Sequence, residues 1–61
     1  MAMAEYVIRK FDGDGRLLGA RITEYLNDEK ATVLAAGLMK MPVRRLEVWQ
    51  GSRQVAVITV G

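Results

Sequence analysis

The chain has 61 residues, no cysteine and no histidine, and nine Lys and Arg against seven Asp and Glu, a formal net charge of +2. Such a length bounds it to one domain, residues 1–61, and so small a domain buries only about 60% of the surface its unfolded chain exposes. Disulfides and the usual zinc ligands are excluded by composition. With 51% hydrophobic residues, self-association is the remaining staple for a small core.

The first element reads as a strand over residues 5–12. The turn Asp12-Gly13-Asp14-Gly15 follows, then a second strand over about residues 16–24. Asp14-Gly15 suits a type I′ turn, whose central positions both need positive φ. In that register Phe11 faces Leu18, Arg9 faces Ala20 and Val7 faces Ile22. The apolar face, Val7, Phe11, Leu18, Ala20 and Ile22, is expected to turn inward. Tyr6, Ile8, Lys10, Gly19, Arg21 and Thr23 would turn outward, since strand residues alternate between faces.

A helix is expected over residues 28–40. Asn27 is a good N-cap, Asp28 and Glu29 complement the helix dipole, and Pro42 forbids continuation. Ala31, Leu34, Ala35, Leu38 and Met41 form an i, i+3, i+4, i+7 stripe. The other side, with Thr32, Val33, Ala36, Gly37 and Met39, lacks the usual charge. Gly37 costs a helix interior about 1 kcal/mol relative to Ala; close approach of another helix would explain it, and a neutral surface glycine would explain it equally.

The last two β-rich runs flank Gly51-Ser52, a link with Gly first that suits a type II′ hairpin. That link sets Gln50 against Arg53, Val48 against Val55 and Leu46 against Val57. Leu46, Val48, Val55 and Val57 then form the core face. Arg45, Glu47, Trp49, Gln54, Ala56, Ile58 and Val60 form the other.

The order ββαββ predicts a two-layer α+β domain: a mainly antiparallel four-stranded sheet with one helix packed on one face. Its expected core is Val7, Phe11, Ile22, Leu34, Leu38, Leu46, Val48, Val55 and Val57. Tyr6-Val7-Ile8, the Asp-Gly turn, the Ala-rich helix and Leu46-Glu47-Val48 before a Gly turn resemble the layout of small uncharacterised proteobacterial domains. They are similar also to phage-encoded inhibitors of host CRISPR complexes. The resemblance implies the ββαββ fold and admits an inhibitor of a host complex as an alternative role. It assigns no functional residue.

Catalytic chemistry finds little support. There is no His to act as general base, and Ser52, the only serine, sits in a turn. The Asp12–Gly15 turn fails the calcium-loop pattern, because its fifth and twelfth positions are Arg16 and Thr23. It is no phosphate loop either, since no Lys-Ser/Thr follows. No catalytic, cofactor-binding or metal site is therefore expected.

Two binding readings remain. In the first, the chain is a non-catalytic protein-interaction module that self-associates as a homodimer. Its interface is expected at Trp49, Ile58, Tyr6, Ala56 and Val60, because Trp, Tyr and Arg are enriched in binding hot spots. In the second, Lys10, Arg21 and Arg45 hold a nucleic acid beside the stacking platforms Tyr6 and Trp49. Neither membrane partner nor transmembrane segment is expected, since no apolar run is long enough. The opening residues lack the basic and apolar regions of a signal peptide, and a cytoplasmic location is expected.

Overall fold

The computed structural model describes residues 2–60. Among them the elements run β1 (Ala4–Phe11), β2 (Leu17–Tyr25), α1 (Asp28–Ala36), β3 (Arg45–Gln50) and β4 (Arg53–Thr59). All strand pairings are antiparallel, in the order β2-β1-β3-β4. The small ββαββ, α+β architecture expected from the sequence is the fold.

The local signals behave as their chemistry dictates. The Lys30 N–H donates to the Asn27 side-chain oxygen at 2.9 Å, satisfying an orphan donor at the helix start. Gly51 has φ 60° while Ser52 does not have positive φ, as a type II′ turn requires. Gln50 pairs with Arg53. At the first turn the Gly15 N–H donates to the Asp12 carbonyl at 3.1 Å, and the Asp12 carboxylate accepts from the Asp14 and Arg16 N–H groups. Only Gly15 takes positive φ there, 83°, so the turn is not the type I′ expected. An irregularity at Lys10/Phe11 follows from it, and Phe11 faces Leu17 rather than Leu18.

The central pairing decides which way the first hairpin faces. Ile8 pairs with Val48 and Lys10 with Leu46, so β1 presents its even-numbered residues on the face where β3 presents Leu46 and Val48. The helix lies on that face. Its contribution is small, Ala31 and Ala35, and the sheet supplies the bulk: Tyr6, Ile8, Leu46 and Val48, all buried. Burying an aliphatic side chain of this size stabilises by about 1.5–3 kcal/mol. The expected inner face of hairpin one is thus the outer one. Val7 and Phe11 are half-buried on the open side and Ile22 is 67% exposed.

The second hairpin is corrected by a β-bulge. Beyond Trp49, which pairs with Gln54, Val48 faces Ala56 and Leu46 faces Ile58, with Val55 as the extra residue. Ala56 and Ile58 therefore pack on the core beside Val55, and Val57 turns outward, 48% exposed.

The helix ends at Ala36, short of residue 40. Gly37 is its C-cap in the right-handed region, and the Leu38 and Met39 N–H groups close the end on the Ala35 and Ala36 carbonyls. Leu38 is half-buried, but Leu34 and Met41 are exposed. A Cβ at Gly37 would meet only the Leu34 carbonyl of its own helix, 3.3 Å away. Close approach of another element does not explain this glycine, and its φ of −67° is open to any residue.

Candidate functional site

The face away from the helix holds the chemistry. From β1 it shows Val7, Arg9 and Phe11, and from β3 Arg45, Glu47 and Trp49. The pairs are Val7 with Trp49, Arg9 with Glu47 and Phe11 with Arg45. Alternation brings Arg45, Glu47 and Trp49 to one side of β3, and β1 sets a row of opposite character against them. β2 adds Ala20 and Ile22 beside Arg9 and Val7, and β4 adds Val57 beside Glu47.

Glu47 is the centre. It is 6% exposed although it faces away from the helix. Its carboxylate accepts the Trp49 indole N–H at 3.0 Å and is ion-paired with the Arg45 guanidinium. The indole hydrogen bond holds its pKa below the ordinary glutamate value; burial opposes that, and Arg45 and the charge of Arg9 reinforce it. Each arginine also lies over an aromatic ring: Arg9 5.5 Å from the Trp49 centroid, Arg45 4.9 Å from that of Phe11. The result is a knitted Arg–Trp–Glu–Arg–Phe cluster bordered by exposed Ile22 and Val57.

A second knot lies on the helix side. The Tyr6 hydroxyl donates to Asp28 Oδ1 at 2.7 Å, and Arg53 donates to Asp28 Oδ2 and Oδ1 at 2.9 and 3.1 Å. Hydrogen bonds from Arg53 first and Tyr6 second lower the Asp28 pKa. The same bond to Asp28, helped by desolvation, raises that of Tyr6. Tyr25 lies against the Tyr6 ring, centroids 5.9 Å apart.

The sequence-based interface set is therefore divided. Trp49 is on the open face, off the core, as its register predicts. Tyr6 is buried and tied to Asp28, and Ala56 and Ile58 pack on the core. Val60, two residues beyond Ile58, is exposed at the end of β4. The basic set divides too. Arg45 is on the open face. Lys10 and Arg21 are on the helix side, where Lys10 lies over Gly19, a Cβ there standing 3.6 Å from Lys10 Cε. Sequence reasoning passed over Phe11 and Glu47 as site residues and set Arg9, one of the basic residues of the nucleic-acid reading, on the inward face. The signal was present: Arg9 interrupts an apolar strand face, and Glu47 sits two residues from both Arg45 and Trp49.

Among the described residues no pocket opens, and no cluster of His, Cys, Asp or Glu could hold a metal ion. No helix among them is long and apolar enough to cross a membrane. No protein-family model matches the chain, and neither a curated protein nor a solved structure matches it.

Proposed function

We propose that this chain is a non-catalytic protein-interaction module whose contact surface is the open sheet face. One observation carries the reading. The helix covers the less apolar face of the first hairpin and leaves Val7, Phe11, Leu17, Ala20 and Ile22 on the open side, with Trp49 and Val57 alongside. An apolar patch of this kind on a small domain marks a contact site. Its centre is rigid, because the carboxylate of Glu47 and two guanidiniums fix the Trp49 and Phe11 rings. Pre-ordered aromatic and arginine side chains lose less entropy on binding. A cytoplasmic site of action accompanies this reading, and the absence of cysteine fits it.

The same geometry weighs against a nucleic-acid role. Arg9 and Arg45 already occupy ring faces on which bases would stack, and Glu47 neutralises the centre. Lys10 and Arg21 face the other way. The test is affinity capture from the native host with wild-type and Trp49→Ala or Ile22→Thr bait, each confirmed folded by circular dichroism. A partner retained by wild type and lost with both variants is expected. Capture unaffected by either would overturn the reading. Oligonucleotide binding that weakens steeply with salt and needs Arg9 and Arg45 would replace it with the nucleic-acid one.

A further inference from the structure

Among the described residues β4 is hydrogen-bonded on one side only, to β3. The Val60 N–H donates to the Arg44 carbonyl at 3.0 Å, so Val60 faces β3. By the alternation of an antiparallel ladder Ile58 and Ala56 face it too. The N–H and C=O groups of Val57 and Thr59 therefore point outward, and no strand takes them among the described residues.

The two edges of the sheet differ in how they treat this exposure. Natural edges are blunted by short strands, charges, proline and bulges, and glycine weakens a strand. β2 carries Gly19, Arg21 and Glu24 within its run. β4 opens on the charged Arg53, but from Gln54 to Val60, the residue just past its end, there is no charge, glycine or proline, and five of the seven residues are apolar. The bulge lies at Val55, which leaves residues 56–60 regular. Such an edge is a template for another strand.

We infer that the strand it receives is β4 of a second copy. A two-fold axis perpendicular to the sheet keeps both helices on one side. It must pass midway between a residue and its own counterpart, because paired side chains share a face. Centred on Ile58, it uses the whole regular stretch. Val57 of one copy then faces Thr59 of the other, and both backbone hydrogen bonds of each such pair form from the outward groups. Ile58 faces its counterpart, and Ala56 faces Val60. The seam brings no two charges together, and its Val57–Thr59 and Ile58–Ile58 pairs match β-branched residues to each other. The same operation on β2 would carry Arg21 and Glu24 into the seam. The need is plain from the monomer: ten large hydrophobic residues are substantially exposed, Val57 and Val60 among them, against a buried core of six. This goes beyond the open-face reading and stands whether or not that face binds a partner.

Sedimentation equilibrium of the full chain at micromolar concentration tests it. Thr59→Pro deletes an outward N–H and spares the donors to β3, and proline is tolerated at sheet edges. Wild type is expected at twice the 6.8 kDa chain mass, and Thr59→Val likewise. Thr59→Pro should be a folded single chain, with dimerisation weakened by about ten-fold or more. Should Thr59→Pro unfold, Val57→Lys, which places like charges in the seam, gives the same comparison. Amide exchange supplies a readout without substitution: the Val57 and Thr59 amides should be protected and lose protection on dilution. A wild type that stays a folded 6.8 kDa species overturns the inference. So does a folded Thr59→Pro or Val57→Lys that remains dimeric. A dimer lost with Trp49→Ala but kept with Thr59→Pro puts the contact on the open face and overturns it as well.

Discussion

Asp28, on the helix side of the sheet, and Glu47, on the open side, each accept a hydrogen bond from an aromatic side chain and pair with an arginine. Their partners differ in distance along the chain. Asp28 gathers Tyr6, 22 residues before it, and Arg53, 25 residues after it, so one carboxylate ties β1, α1 and β4 together. Glu47 gathers Arg45 and Trp49, each two residues away on the same strand. Its bonds close no long loop and join no second element. The first knot links three elements of the fold. The second fixes the shape of a surface.

The sharpest way to break this contrast is to cut the packing under each side. Ile8→Ala removes a side chain with no solvent exposure and is expected to destabilise by about 2–5 kcal/mol. That is enough to unfold most of a domain this small at room temperature, as urea titration would read. Trp49→Ala should leave a folded chain. If Trp49→Ala unfolds it and Ile8→Ala does not, the two faces have been exchanged.

The two knots should also respond differently when each loses one donor or charge. Tyr6→Phe removes the link from β1 to the helix start, and a clear loss of stability is expected, smaller than that of Ile8→Ala. Glu47→Gln keeps the shape of its side chain and severs the pairing with Arg45. Its loss should be the smaller of the two, while the Trp49 fluorescence spectrum changes because the indole hydrogen bond is altered. An equal loss from both variants would mean that Glu47 also carries the fold.

Acid distinguishes them again. The folded-state pKa of both carboxyls is depressed, by Arg53 and Tyr6 at Asp28 and chiefly by Trp49 at Glu47. In the unfolded chain they bind protons first as pH falls, so the unfolded state is favoured there. Their contribution is present above the ordinary carboxylate pKa, about 4, and is lost as pH drops through the folded values. The thermal midpoint should fall below pH 4. Asp28→Asn should flatten that dependence more than Glu47→Gln if Asp28 holds the elements together. Tyr6 has the opposite sign. Its raised pKa gives stability present below the ordinary tyrosine value and lost as pH rises through the folded one, so the wild type should weaken in strong base and Tyr6→Phe should not share that loss.

Local structure is legible in this sequence because its causes are local. Asn27 caps a helix with a side chain three residues from its donor, and Gly51 meets a positive φ. Facing is not local. Hairpin one is more apolar on the Val7, Phe11 and Ile22 side, and counting apolar residues turns that side inward. The pairing of Ile8 with Val48 and the bond from Tyr6 to Asp28 turn it outward. Neither contact has a signature within ten residues. The bulge at Val55 is hidden for another reason: Val55-Ala56-Val57-Ile58 is apolar in both alternations, so a slip of one residue leaves the pattern unchanged. The site residues missed or set on the wrong face, Arg9, Phe11 and Glu47, are those whose meaning depends on β1 lying against β3.

The smallest expected effect on stability is the most informative about function. Ile22 is a large aliphatic residue, 67% exposed, paired with Val7 on the open face. Ile22→Thr keeps the β-branch that suits a strand and removes apolar surface that the fold does not bury. Its unfolding free energy should lie within about 0.5 kcal/mol of wild type. An isoleucine retained on the fold's behalf could not be replaced so freely, and one retained for a contact could. The same substitution should therefore leave the urea midpoint in place and reduce partner capture. A loss of several kcal/mol would instead return Val7, Phe11 and Ile22 to the interior, and with them the facing that the apolar count alone suggests.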